Sequence, residues 1–141
     1  MNSLLDTCVV SELANRRPNA QVVDWLRRQN PDTLYLSCIS IGELRKGIAK
    51  LGPSSRATAL ENWLRTAILG PFATRILPIG RKVALEWGRL CGEAERVGRK
   101  RPAIDALIAA TASIHNLRVV TRNVDDMSGM GVPLFNPFSE T

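Results

Sequence analysis

Four acidic residues stand among neighbours that do not explain them. Asp6 closes the apolar run Ser3-Leu4-Leu5. Glu43 lies in Ser40-Ile41-Gly42-Glu43. Asp105 opens the otherwise apolar Ala103-Ile104-Asp105-Ala106-Leu107-Ile108-Ala109-Ala110, and Asp126 follows shortly after Val119-Val120-Thr121. A carboxylate in such surroundings is costly to bury unless it is paired, accepts several hydrogen bonds or meets a cation. No Lys or Arg adjoins Asp6, and the base nearest Asp105 along the chain is Arg101. Acids crowded together repel one another and raise each other's pKa, and a divalent metal is the simplest way to keep them ionised. A donor set made only of oxygen favours Mg²⁺ or Mn²⁺ over zinc. Each acid also has a local alternative. Asp6 can cap the helix after it, Ser40-x-x-Glu43 is a capping-box sequence, Asp105 suits a helix dipole, and Asp125 and Asp126 suit a turn. Those alternatives leave one thing unexplained, which is that every acid falls at a strand end or in a first helical turn.

The elements that must gather these residues follow from apolar periodicity and from breakers. Strands are expected at Ser3–Leu5, Leu34–Cys38, Arg75–Ile79, Arg118–Thr121 and Val132–Phe135. Helices are expected over Val9–Arg16, from a cap at Asn19 to Asn30, from Ser40 to about Lys50, and from Ser54 or Ser55 along Leu60, Trp63, Leu64, Ala67 and Ile68 to Gly70-Pro71. A long amphipathic helix carries Val83, Ala84, Trp87, Leu90, Cys91, Ala94 and Val97 on one stripe. After the basic turn Gly98-Arg99-Lys100-Arg101, Pro102 suits the first turn of a helix that is apolar nearly all round and runs to about His115. Asn123 to Gly131 reads as a polar turn. Strands separated by helices predict an α/β fold, a central parallel sheet of about four to five short strands with helices on both faces. One domain over 1–141 is expected. Ligands of such sheets collect at the carboxyl ends of the strands, where Asp6, Glu43, Asp105 and Asp126 should share one edge.

Composition narrows the chemistry. With 45% hydrophobic and 23% charged residues, the 141-residue chain lies outside the disordered and coiled-coil ranges. Its longest apolar stretch, Ala106 to Ala110, is far too short to span a membrane. Asp6 interrupts the N-terminus before a signal sequence can form, so a cytoplasmic location is expected. Cys8, Cys38 and Cys91 include no C-x-x-C pair and predict reduced thiols rather than zinc or disulfides. His115 is the one histidine and sits near a helix end, which removes Ser-His and Cys-His hydrolase schemes. A net charge of +6 favours a polyanionic partner. An acidic cluster on a basic protein points to metal-assisted hydrolysis of a phosphodiester, with Arg45, Lys46, Arg99, Lys100, Arg101 and Arg122 as candidates to hold the backbone. Trp25, Trp63 and Trp87 lie on apolar helical stripes and read as core, although the stripe with Trp63 could also form a groove for a partner helix.

Four ordered motifs resemble those of PIN-domain proteins. They are Leu5-Asp6-Thr7, Ser40-Ile41-Gly42-Glu43-Leu44 with Gly47, Asp105-Ala106-Leu107-Ile108-Ala109-Ala110-Thr111-Ala112, and Val120-Thr121-Arg122-Asn123-Val124-Asp125-Asp126. The likeness extends to Phe135-Asn136-Pro137-Phe138 and is greatest to the VapC toxin group, including its FitB-like members. The resemblance implies a PIN-like fold and a Mg²⁺- or Mn²⁺-dependent ribonuclease, the toxin of a bacterial type II toxin–antitoxin pair. It also implies a homodimer, inhibition by a VapB-like antitoxin, and contact with operator DNA only through that antitoxin. Asp6, Glu43 and Asp105 would carry the metal, and Thr7 and Thr121 would supply supporting hydroxyls. Where some members have Asp directly after Thr-Arg this chain has Asn123, and Asp126 matches the Asp of a downstream Asp-Phe pattern with Met127 in place of Phe. Asp126 is therefore assigned the fourth acidic role. Glu43 would orient or deprotonate the water that attacks phosphorus. A rival reading is a catalytically silent PIN-like module that binds RNA or a regulatory protein. An aspartate-based phosphatase fits poorly, because Asp6-Thr7-Cys8 lacks its second Asp.

Overall fold

The computed structural model describes residues 1–139; Glu140 and Thr141, the end of the expected domain, lie outside the described residues. Five parallel strands form the centre: β1 (Ser3–Leu5), β2 (Leu34–Ser37), β3 (Ile76–Leu77), β4 (Arg118–Val120) and β5 (Leu134–Phe135), in the order β3-β2-β1-β4-β5. Around them lie α1 (Thr7–Glu12), α2 (Ala20–Arg27), α3 (Cys38–Ala49), α4 (Ser55–Trp63), α5 (Arg81–Arg96), α6 (Ala103–Ile114) and α7 (Val124–Met127). β1 pairs with β2 on one side, Leu4 opposite Tyr35, and with β4 on the other, Leu4 opposite Val119 and Leu5 opposite Val120. The strand order reverses beside β1, which makes its carboxyl end the crevice of the sheet.

Alternation along the strands divides the core into two layers. Leu5, Leu34, Leu36 and Val120 pack with Val9, Val10, Val22, Trp25, Leu44, Ile48, Leu64 and Ile68 from α1 to α4 and the wide π turn Leu64–Leu69 that continues α4. Leu4 and Val119 face the other way, against Ile108, Ala112 and Met127. Each such side chain taken from water contributes about 1.5–3 kcal/mol. A third cluster joins α5 to α6 through Val83, Leu90, Ala106, Ala109 and Ala110. Ala106, Ala109, Ala110 and Ala112 on α6 are fully buried, and their small size lets the helix lie close to both the sheet and α5. This fixes the position of its first turn.

Several boundaries depart from expectation, and α1 ends at Glu12 rather than Arg16. Thr7 already belongs to α1, because Asp6 caps it one residue past the strand. Pro102 occupies the N-cap position rather than the first turn, with α6 starting at Ala103. The segment Asn123 to Gly131 is not merely a polar turn. Burial of Met127 and Met130 pulls it into the short helix α7. β3 and β5 are also shorter than the segments Arg75–Ile79 and Val132–Phe135, as suits the edges of a sheet. No helix among the described residues is long and apolar enough to cross a membrane.

Candidate active site

At Asp6 strand β1 becomes helix α1, and almost every polar atom of the residue is used. Its N–H continues the β1–β4 ladder to Val120 O at 2.9 Å, and its carbonyl accepts from Val9 N at 3.0 Å. Its Oδ1 accepts the Thr7 N–H at 2.8 Å, so the N-cap expected from sequence is real. Its Oδ2 accepts the Thr121 hydroxyl at 2.7 Å and, more weakly, the Cys8 thiol at 3.5 Å. The carboxylate is thereby held at 4% exposure in one orientation. Thr121 is itself fixed just beyond β4, where its Oγ1 accepts the Asn123 N–H at 2.9 Å. Burial, and then the negative charge of Asp6, push the Cys8 thiol above its usual pKa, which keeps it a neutral donor.

Glu43 arrives differently from the sequence expectation. The capping box Ser40-x-x-Glu43 does not form. Ser37 ends β2 in extended geometry and its hydroxyl accepts the Ile39 N–H at 3.2 Å, so α3 begins at Cys38. Ser40 and Glu43 consequently lie inside the helix, and Glu43 is past its first turn. Both meet α1: the Thr7 hydroxyl lies 2.8 Å from Ser40 Oγ and 2.5 Å from Glu43 Oε1. A hydroxyl has one proton and a carboxylate can only accept, so Thr7 donates to Glu43 and accepts from Ser40. The fully buried Ser40 is a site residue that the sequence disguised as a cap. Its spacing to Glu43 was visible, but its partner on α1 was not.

Asp105 completes the rim from the first turn of α6. Its carboxyl is raised from 3.8 to about 6, first by burial and then by the charges of Asp6, Asp126 and Glu43. Asp6, Asp126 and Glu43, the other three acids named from sequence, are thus all within electrostatic reach of Asp105. Among the described residues, no Lys or Arg forms an ion pair with any of them. Asp126 is exposed on α7, whose position is held by Arg101, which donates to the Asp126 carbonyl at 3.1 Å. No three His, Cys, Asp or Glu side chains among the described residues are already closed around a coordination point. The donor set nevertheless fits a hard divalent cation. It is all carboxylate oxygen, partly desolvated and without a counter-charge from the protein.

The candidate basic surface divides. Arg45 is paired with Glu61 at 3.3 Å. Arg122 contacts Glu12 at 3.7 Å and stacks over Phe138, so the C-terminal segment holds it. Arg99 and Lys100 are exposed on the α5–α6 turn, and Lys46 on α3. Trp25 is buried, as expected of core, whereas Trp63 and Trp87 are half-buried. Trp87 donates to Ala103 O at 3.2 Å and so ties α5 to the start of α6.

Residues 3–130 match the family model for the PIN domain. The chain is 39% identical to the toxin FitB of Neisseria gonorrhoeae over 97% of its own length and 99% of that protein's. It is 35% identical to the VapC ribonuclease Y4jK of Sinorhizobium fredii, over 96% of each chain. Its fold is similar to the crystal structure of FitAcB from Neisseria gonorrhoeae, with a TM-score of 0.91 at 38% identity, covering 98% of this chain and 99% of that one.

Proposed function

The chain belongs to the PIN-domain family, in the group that includes FitB and the VapC ribonucleases, and from that premise we propose that it is a Mg²⁺- or Mn²⁺-dependent endoribonuclease. It acts as the toxin of a type II toxin–antitoxin pair in the cytoplasm. Asp6, Glu43 and Asp105 are the proposed metal ligands, with Asp126 as the fourth acid. The observation that carries the reading is the gathering of Asp6, Glu43 and Asp126 around a half-buried Asp105 with no basic partner among the described residues, which raises Asp105 to about 6. A bound divalent cation would supply Lewis acidity, favouring ionised water and stabilising charge on the phosphate. The chain's own residues do the rest. Thr121 and Thr7 N–H fix both oxygens of Asp6, and Thr7 turns Glu43 Oε1 so that its second oxygen remains available to orient or deprotonate a water.

Inhibition by a VapB-like antitoxin is supported by a groove between α1, α3 and α4. This cavity of about 470 Å³ is lined by Leu44, Ile48, Leu60 and Trp63 and reaches Thr7 and Glu43. An amphipathic segment laid there would cover Glu43 and Thr7. A homodimer, and operator contact through the antitoxin alone, complete the proposal. The test is to sequence the RNA ends produced by purified protein with Mg²⁺ or Mn²⁺, with chelator, and with Asp6→Asn. Metal-dependent ends lost in the variant are expected. RNA binding without cleavage under every metal condition would leave only the silent binding module.

A further inference from the structure

Beside the acidic rim is a second cavity, of about 260 Å³, lined by Arg96, Arg99 and Arg101 above an apolar floor of Leu90, Val97 and Met130. It is built rather than incidental. α5 ends in a Schellman turn, with Arg99 N–H bonded to Ala94 O at 2.7 Å, Gly98 N–H bonded to Glu95 O at 3.0 Å, and Gly98 at φ +73°. That turn holds the backbone of Arg99 in one direction. On the far wall Gly129 has φ +84°, a backbone conformation that favours glycine, and a Cβ there would sit 2.9 Å from Arg101 Nη2, so the guanidinium lies close against the chain. Arg101 also bonds the carbonyl of Asp126, which makes one wall of the cavity continuous with the acidic rim. The single acid in the lining, Glu93, is engaged by Arg89 at 3.0 Å. Among the described residues no acid pairs with Arg96, Arg99 or Arg101. Val97 is 55% exposed over this floor.

Unpaired guanidinium groups around a small apolar floor suit a group that carries both an anion and a flat ring. We propose that this cavity is a nucleotide subsite, in which Arg96 and Arg99 hold a backbone phosphate next to the scissile one and the floor takes the adjoining base. The inference rests on the ribonuclease reading for the identity of the strand, and it goes further by naming where a flanking nucleotide is held. RNA backbone contacts are electrostatic and salt-dependent, whereas base contacts to an apolar floor are not. The two contributions can therefore be separated.

The experiment measures the Kd of a labelled single-stranded RNA for the full chain in chelator, where no cleavage occurs. Arg96→Ala with Arg99→Ala should raise Kd at least about tenfold and flatten its logarithmic salt dependence by about 0.7 per lost phosphate contact. The control, Arg81→Ala with Lys82→Ala, removes the same charge from the opposite end of α5 and should leave Kd within about twofold, since roughly 20 Å of helix separates the two pairs. Val97→Ser, neutral and at an exposed position, should raise Kd without changing the salt dependence. Equal effects of the two double variants, or an unchanged Kd in Val97→Ser, would overturn the subsite. Cleavage by the unaltered protein with Mg²⁺ or Mn²⁺ is scored separately. Cleavage without the Kd difference removes the subsite alone, and the Kd difference without cleavage removes the nuclease reading alone.

Discussion

Asp6 and Asp105 belong to one acidic rim, and the chain treats them in opposite ways. At the end of β1 it surrounds the Asp6 carboxylate with a backbone N–H, a hydroxyl and a thiol, all aimed at its two oxygens. At the start of α6 it leaves Asp105 without a side-chain or backbone donor among the described residues. It buries that carboxyl partly and sets three other acids within reach, raising it to about 6. The contrast separates preorganisation from demand. Asp6 is oriented before any ligand arrives, and Asp105 is where charge from outside is missing. A protein optimised only for stability would have paired Asp105 with a base or replaced it.

Asp6→Asn attacks the organised end and should have the largest effect. Asparagine is as good an N-cap as aspartate, and with its oxygen kept on Thr7 N–H its amide NH2 can donate to the Thr121 hydroxyl oxygen, so the melting temperature should change by only a few degrees. Metal-dependent cleavage should fall by more than about 10³-fold, well beyond the ~10–100-fold typical of a group that merely orients a ligand. Cleavage assays beside thermal melts read both. Activity preserved in Asp6→Asn would show that the organised carboxylate serves the cap alone.

Thr121→Val comes next. It removes the short bond to Asp6 and the acceptor for Asn123 N–H, and should cost about 1–3 kcal/mol in chemical denaturation. The loss of cleavage should be about 10–100-fold. Thr7→Val should cost activity on the same scale, because Glu43 and Ser40 lose their link. If the two variants alter stability without altering metal affinity, the hydroxyls serve the fold and not the rim.

The resemblance named these hydroxyls, and why their partners were hard to see bears on how far the sequence could be read. The five-stranded parallel sheet, the caps at Asn19 and Ser54 and the helical core of α6 are written in local periodicity and breakers, and they stand where periodicity puts them. The four acids were also visible, because a charge in an apolar run is conspicuous without its partners. What sequence could not supply was pairing across long separations. Thr121 meets Asp6 from the end of the neighbouring strand, 115 residues along the chain, and Thr7 meets Ser40 and Glu43 from another helix. The capping-box reading of Ser40 failed for the same reason. Ser37 was the nearer cap, and tertiary contact with Thr7 gave Ser40 a different role. Helix α7 was missed because the polar composition of the segment Asn123 to Gly131 hid two buried methionines, Met127 and Met130.

Asp105 gives the pH test. Its folded pKa lies above its unfolded value, so the stability it contributes is complete below about pH 3.8 and is lost as pH rises through about 6. Asp105→Asn should therefore raise the melting temperature of metal-free protein at about pH 8, with the gain fading toward about pH 4. The shift should be modest, because the residue is partly exposed. Mn²⁺ or Mg²⁺ should stabilise the unaltered protein more at about pH 8 than at about pH 5, since binding requires the ionised carboxylate. A melting temperature of the variant that is equal or lower at high pH would remove the idea that Asp105 awaits a counter-charge.

The smallest effect is expected at Cys8, and it decides what organises Asp6. The thiol touches both sides of the cluster, at 3.5 Å from Asp6 Oδ2 and 3.8 Å from Thr121 Oγ1. Burial and the adjacent carboxylate hold its pKa up, so near neutral pH it is a weak donor rather than a thiolate. The bonds from Thr7 N–H at 2.8 Å and from Thr121 at 2.7 Å are far shorter relative to their type. If those two fix the carboxylate, Cys8→Ala loses only packing and a weak contact. It should then cost about 1 kcal/mol or less and reduce cleavage by less than about threefold, well short of the Thr121→Val loss. Cys8→Ser, which restores a donor in nearly the same place, should be closer still to the unaltered protein. A Cys8→Ala loss as deep as that of Thr121→Val would mean that Asp6 is held by the whole crowded pocket rather than by two directed bonds, and the distinction between an organised Asp6 and an unsatisfied Asp105 would have to be drawn from packing instead.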